Sequence, residues 1–319
     1  RLVMRPDFAP RALTRSFWTS WYVQVPVDPD PYLARSLWPT VIELLDEGSV
    51  RRFFFIRYFE NGLQLRLRFR IQEEATDARI AEALSASLRD WDASVPVRQH
   101  ASPGPDPSAS YLWPVRYVRD EHYFGENAET LYSELLNEQS SYLTMRLLSV
   151  SLERRQARYV GLLATLITLL QRVAPTKAEL GRRIEESVQF ADYWLRKHLP
   201  AGSLDDPDWQ ASLEADPAEA VRLLTSLRSA PSIVKLQQDQ AVQHMASLLR
   251  RMTQELSEPD FYVTHSLHLL CNKLGFNLND ELFAFRTLKA WLEREPDTTL
   301  SPSPSVSTRD HHVQPAPLC

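Results

Sequence analysis

Glycine is scarce in this chain, with eight in 319 residues against 22 prolines. Loops that cradle phosphates need several closely spaced glycines, so that backbone N–H groups can approach the ligand. The chain has neither a Walker-type loop nor a dinucleotide fingerprint. HExxH, paired CxxC and GxSxG are missing too, which removes most of the weight from zinc and serine-hydrolase readings. Cysteine is limited to Cys271, in an apolar stretch, and Cys319, the last residue. That usage does not suggest a disulfide framework, and the reducing cytoplasm is the expected compartment. Long apolar runs are lacking as well. The longest, Val160 to Leu170 with Thr165 and Thr168 inside it, is too short to span a bilayer and reads as a buried helix. The first residues lack the apolar core of a signal peptide. No membrane partner is expected. Charge is balanced, with 36 Lys and Arg against 41 Asp and Glu and a net charge of −5. A protein that coats nucleic acid through bulk charge would be basic, so no nucleic-acid partner is expected either.

What is present is an ordinary globular balance, 44% hydrophobic and 24% charged, in a chain long enough for a real core. The first half alternates strand-like and helix-like segments. Ser16–Val25, Arg51–Tyr58, Leu63–Ile71 and Tyr111–Val118 read as strands, with a short fifth at Pro96–His100. Pro31–Glu47 and Glu73–Trp91 carry apolar residues at helical spacing, and Asn61-Gly62 supplies a hairpin turn. The main order is strand, helix, strand, strand, helix, strand, which is the split βαβ, ferredoxin-like arrangement. The second half reads as helices: 128–153, 157–173, 177–198, 218–228, 233–256, 262–274 and 281–293. The expected fold class is α+β, a ferredoxin-like sheet followed by a mainly helical half. One domain is expected over 1–295, β-rich from 16 to 120 and helical from 126 to 295. The Pro/Ser-rich stretch 296–319 is expected to be disordered.

The most distinctive segment is LQLRLRFR. Its alternation sends Leu63, Leu65, Leu67 and Phe69 to one face and Gln64, Arg66, Arg68 and Arg70 to the other. Three cations spaced ~7 Å apart repel one another, so anionic or polar neighbours are expected. Such a row can bind a carboxylate or a polarised carbonyl through forked hydrogen bonds. The competing reading is a solvated face paired with surface acids.

The segment RRFFFIRYFENGLQLRLRF resembles the signature of the lantibiotic dehydratase C-terminal (elimination-domain) family and its stand-alone thiopeptide-type relatives. Arg57, Tyr58, Arg66, Arg68 and Phe69 match the family pattern, while Leu63 and Gln64 stand where it usually has Pro and His. YVRDEHYFGENAETLYSELLNEQSS is similar to a second family segment: Tyr117, Arg119 and Gly125 match, Asp120 stands for Glu, Tyr123 for Arg and Glu126 for Gly. SLHLLCNKLG resembles a third, through Ser266, His268, Asn272 and Leu274, with Lys273 for Arg. The order and spacing of the three make the resemblance strong.

The resemblance implies work on a ribosomally made peptide without a cofactor. Eliminating members remove glutamate from glutamylated Ser or Thr, which would make His268 the acid/base and Arg66, Arg68 and Arg119 the carboxylate binders. The stand-alone relatives join two dehydroalanines in a formal [4+2] aza-cycloaddition, with loss of water and leader. The departures at Gln64, Tyr123 and Glu126, with Ser140-Ser141 for the usual Asp-Ser, favour the cyclase, as does the lack of a glutamylation domain in this chain. The expected site is then His268, Tyr123, Ser140, Ser141 and Tyr117 as catalytic groups. Arg66, Arg68, Arg119, Arg57, Gln64 and Tyr142 are expected to bind substrate. Implied partners are the precursor peptide, with its leader and dehydrated azole-bearing core, and dehydratase subunits of the same pathway. The residues also allow a bland reading, in which Ser140 and Ser141 bond back to the helix and His268 is a satisfied core histidine. A third reading is a non-catalytic scaffold that docks the leader on an exposed strand edge.

Overall fold

The structure is a computed structural model that describes residues 17–59, 63–73, 76–99, 108–116, 128–151, 155–198, 217–227, 239–256 and 259–294. The expected turn at Asn61-Gly62, the 296–319 tail and the site candidates Tyr117, Arg119 and Tyr123 lie outside the described residues.

The first half forms five strands: β1 (Phe17–Gln24), β2 (Arg52–Phe59), β3 (Leu63–Ile71), β4 (Val97–Gln99) and β5 (Ser110–Pro114). Their order across the sheet is β2-β3-β1-β5-β4. β1 pairs antiparallel with both β3 and β5, and β2 antiparallel with β3. That is the ferredoxin-like order the sequence predicts, extended by the short strand β4, which pairs parallel to β5 at the sheet edge.

Two helical elements cover one face. α1 is continuous but composite: an α-turn Asp30–Tyr32, a π-helical turn Leu33–Leu37 and an α-segment Trp38–Asp46. Pro39 accounts for the widened turn. Proline has no N–H to donate to the carbonyl four residues back, and its ring would press on that carbonyl in a regular helix. α2 spans Thr76–Trp91. Leu33, Leu37, Val41 and Leu44 of α1 and Ile80, Leu84 and Leu88 of α2 pack on Leu65, Leu67, Phe69 and Ile71 of β3.

The second half is helical: α3 (Ala128–Ser151), α4 (Arg155–Val173), α5 (Lys177–His198), α6 (Ala218–Leu227), α7 (Gln240–Glu255), α8 (Pro259–Lys273) and α9 (Leu278–Arg294). α3 joins the halves. Its Met145 and Leu148 belong to the sheet core, while Tyr132, Leu136, Leu143 and Leu147 belong to the core of the helical half. Among the described residues, no helix is long and apolar enough to cross a membrane.

Candidate active site

The polar face of β3 is not the solvated row that alternation alone suggests. Antiparallel register sets Arg70 beside Trp18, Arg68 beside Ser20, Arg66 beside Tyr22 and Gln64 beside Gln24. On the other flank stand Arg52, Phe54, Ile56 and Tyr58 of β2. The cations meet ring faces. The Arg66 guanidinium lies 3.3 Å from the centre of the Tyr58 ring and 4.9 Å from that of Tyr22. Arg68 sits 5.3 Å from Tyr22, and Arg52 and Arg70 each 5.9 Å from Trp18. Each such contact contributes about 0.5–1 kcal/mol when exposed and more when desolvated, which offsets the repulsion within the row.

Arg68 is buried, and its Nη1 donates to Ser20 Oγ and to the Leu67 carbonyl at 3.2 Å. Arg52 meets two carboxylates of α3, with Nε 2.7 Å from Glu138 and Nη1 3.9 Å from Glu134. Gln64 is buried at the same end of the face as Tyr58.

α3 and α8 seal the outer edge of β2. The Phe55 N–H donates to Ser141 Oγ at 3.2 Å. Ser141 and Ser140 both donate to the Asn137 carbonyl, at 2.7 and 3.0 Å. These are the helix back-bonds that serine favours, and both residues are buried. Tyr142 donates to Glu138 Oε1 at 2.9 Å. Burial, then the Glu138 charge, pushes its phenol well above the ordinary tyrosine range. Further along β2, the Asn272 amide straddles the Arg57 backbone, accepting from its N–H and donating to its C=O, each at 3.0 Å. The β2 edge is therefore occupied by the protein's own side chains. At the opposite edge β4 offers a three-residue strand.

Alternation along β2 turns Arg57 away from the arginine face that holds Ile56 and Tyr58. Its guanidinium is buried, 2.5 Å from Asp30 Oδ1, and its Nε donates to the Lys273 carbonyl at 2.8 Å. Arg158 holds the other Asp30 oxygen. Arg57 thus ties α1, α4 and α8 to the sheet. Gly275, at φ +81°, permits this approach, because a Cβ there would stand 3.1 Å from Arg57 Nη1.

His268 sits four residues before Asn272, about 6 Å along α8 from the β2 anchor. Its Nδ1 lies 2.7 Å from Glu281 Oε2 on α9. An ionised carboxylate only accepts, so the imidazole donates. Burial pulls the imidazole down, but the Glu281 charge and hydrogen bond outweigh it, and the net shift is upward. Glu281 is itself buried, and its Oε1 has no hydrogen-bond partner among the described residues. At the end of α8, Lys273 is fully buried with its Nζ donating to Asn137 Oδ1 at 2.6 Å. Burial pulls this amine well below the ordinary lysine value.

The structure thus brings His268 and Asn272 onto one helix against β2, and Arg66, Arg68 and Gln64 onto one sheet face. Ser140, Ser141, Tyr142 and Arg57 have partners within the fold. Glu281 is missed by sequence reading, since it lies 13 residues from His268 on another helix with no motif linking them. Among the described residues, no group of three His, Cys, Asp or Glu side chains is disposed to hold a metal ion.

A family model described as lantibiotic biosynthesis dehydratase C-term matches residues 18–292. No curated protein sequence matches the chain. Solved structures similar to it include TbtD, described as the pyridine synthase from thiomuracin biosynthesis, at TM-score 0.59 and 14% identity, covering 86% of this chain and 97% of that one. TsrL is similar at TM-score 0.56 and 13% identity, over 88% of this chain and 96% of that one. The tRNA dependent lantibiotic dehydratase MibB from Microbispora sp. 107891 is similar at TM-score 0.56 and 19% identity, over 86% of this chain but 28% of that one. At these identities the likeness shows a shared fold.

Proposed function

Since this chain belongs to the lantibiotic biosynthesis dehydratase C-terminal family, we propose that it acts on a ribosomally made precursor peptide and closes a ring between two of its dehydroalanines. The reaction is a formal [4+2] aza-cycloaddition, followed by loss of water and of the leader. The observation that carries this reading is the arginine face of β3, where guanidinium and phenol planes alternate and Arg66 lies against both Tyr22 and Tyr58. A dehydrated, azole-bearing core is flat and uncharged. Its azoles and alkenes can stack on ring faces, and its carbonyls can accept from guanidinium N–H groups. Ring closure between two alkenes needs mainly positioning, for which effective molarities reach about 10⁵–10⁸ M. His268, held by Glu281, supplies proton transfer. The likeness to the thiomuracin pyridine synthase over nearly its whole length favours the same reading.

A second reading rests on the His268–Glu281 pair at 2.7 Å. A histidine paired with a carboxylate can serve as acid/base when glutamate is expelled from a glutamylated serine, and the likeness to MibB points that way.

The test is mass spectrometry of the purified protein with a leader-bearing peptide carrying two dehydroalanines and azole rings. The expected result is the leader released as an amide and a lighter, macrocyclic core. An unchanged peptide, with loss of glutamic acid from a glutamylated substrate instead, would replace the cyclase by the eliminase.

A further inference from the structure

α8 carries a stripe of side chains that reach the surface. Phe261, His265, His268 and Asn272 follow one another at steps of four, three and four residues, which places them on one face of the helix. Each of them is at least partly exposed, while Val263, Leu267, Leu270 and Cys271 turn into the helical core. At about 1.5 Å per residue the stripe runs about 16 Å from Phe261 to the Asn272 anchor on β2, with His268 about 10 Å from the first and about 6 Å from the second. Rings of α5 line its outer end. Phe190 packs against Phe261, His265 and His268, with ring centres at 6.4, 6.4 and 5.6 Å, and against Trp194 at 6.1 Å. Tyr193 meets Trp194 edge-on at 5.5 Å. Phe261 and Tyr193 are 43% and 58% exposed, so the rings form a connected patch open to solvent rather than scattered apolar side chains. Connected patches of this kind mark binding surfaces. His268 keeps 23% of its side chain exposed beside it.

We propose that this patch is a second ring-binding subsite, which holds an azole of the peptide substrate at the opposite end of the stripe from Tyr58 and Arg66. The proposal rests on the ring-closing reading above. Closing a ring between two dehydroalanines brings two arms of one peptide together, and both arms have to be held in place. At the inner end of the stripe Asn272 is fixed to the Arg57 backbone, and the next residue of β2 is Tyr58, whose ring lies against Arg66. One arm stacks on that ring, the other on Phe261 and Tyr193, and His268 lies on the stripe between them. An extended chain advances about 3.3–3.6 Å per residue, so the length of the stripe corresponds to about five residues of peptide.

The charge around the patch selects an uncharged occupant. Asp260 at the start of α8 pairs with Arg182 and Arg183 of α5, and Asp192 pairs with Arg196. The His265 ring stacks on Phe261, with centres at 5.8 Å and planes at 16°. Burial, followed by the charges of His268 and Lys273, pulls this imidazole down to about 3, so it adds no charge to the patch. Lys197 lies over Trp194, with Nζ 4.5 Å from the ring centre. An acidic ligand would compete with Asp260 and Asp192 for their arginines, and a basic one would meet Lys197. A flat, neutral heteroaromatic ring extends the face and edge packing already present and disturbs no ion pair.

The experiment compares the parent, Tyr193→Ala and the double variant Tyr193→Ala/Phe261→Ala by fluorescence anisotropy. The probe is a labelled leader-bearing peptide with two dehydroalanines and azoles on both arms. Two further peptides each have the azoles of one arm replaced by serine, and ring closure by the parent is followed by mass spectrometry. The full peptide is expected to bind the single variant about threefold and the double variant about tenfold more weakly than the parent. One of the two serine peptides is expected to bind all three proteins alike. Tyr193 is exposed and outside the helical core, so the single variant reads the patch even if the double variant fails to fold. Equal affinity of the full peptide for parent and variants would overturn the subsite. Equal losses for all three peptides would overturn it too, since the patch would then bind the leader. A parent dimer that the variants lose in sedimentation, with peptide affinity unchanged, would give the patch to a second copy of the chain and overturn it as well. A parent that binds the peptide but closes no ring would overturn the ring-closing reading, and the two-arm arrangement with it, without recourse to either variant.

Discussion

Replacing Asn272 by alanine isolates the joint between the sheet and the helix that carries His268. The amide makes two hydrogen bonds to the Arg57 backbone, each at 3.0 Å, on an edge strand covered by α3 and α8. Each bond contributes about 0.5–1.5 kcal/mol net, and a buried backbone group left without a partner costs about 1–3 kcal/mol. Asn272 is half-buried, so water can reach part of the gap, and the expected loss is about 2–4 kcal/mol in total. Asn272→Asp should do no better. It keeps the acceptor for the Arg57 N–H but sets a carboxylate oxygen against the Arg57 carbonyl. Urea titration measures the loss, and an unchanged m-value would show that the denatured state is not the cause. Turnover should fall further than stability at temperatures where both variants are folded, since Asn272 fixes α8, the helix that carries His268, to β2. A loss below about 0.5 kcal/mol with full turnover would refute the reasoning, because it would mean that the edge of β2 is satisfied by solvent.

Three further outcomes are expected. Glu281→Gln removes the charge that raises His268. A group raised on folding contributes stability that is full below its unfolded value and lost as pH rises through its folded value. Thermal melts should therefore separate parent from variant most at about pH 5.5 and least at about pH 9. Lys273 runs the other way: burial lowers the folded amine, the unfolded chain holds more protons, and stability rises with pH up to the ordinary lysine range. The parent's urea midpoint should rise relative to that of Lys273→Met between about pH 7 and about pH 9. Tyr58→Ala removes the ring 3.3 Å from Arg66. At 40% exposure for Tyr58, stability should change by less than about 1 kcal/mol, while affinity for an azole-bearing peptide drops by about fivefold in anisotropy titrations.

The fold was legible wherever local pattern and tertiary demand agree. Strict alternation marked β3 at its full length, Leu63–Ile71, and the strand and helix order was enough for the ferredoxin-like sheet. The short strand expected at Pro96–His100 stands as β4, Val97–Gln99. The composite nature of α1 was not read, though Pro39 inside a helical pattern was its visible cause. The site was legible in part. The arginine row was seen, but its neighbours depend on which strands flank β3 and in what register, and so the rings of Trp18, Tyr22 and Tyr58 were not expected there. Arg57 and Arg68 look alike in sequence, each in a strand before an aromatic residue. One is locked to Asp30 and the other is turned to Ser20 on the opposite sheet face. Ser141 looked like a hydroxyl for catalysis and is bonded to the β2 edge, a role that no local spacing reveals. His268 came from resemblance, whereas Glu281 could come only from the packing of α8 on α9.

The most direct test of the account is a competition in one tube. A leader peptide bearing two dehydroalanines and azoles, and a second bearing a glutamylated serine, are mixed with the parent protein and followed together by mass spectrometry. The first peptide is expected to give a free leader amide and a macrocycle while the second stays whole. Release of glutamic acid from the second, with the first untouched, would contradict it.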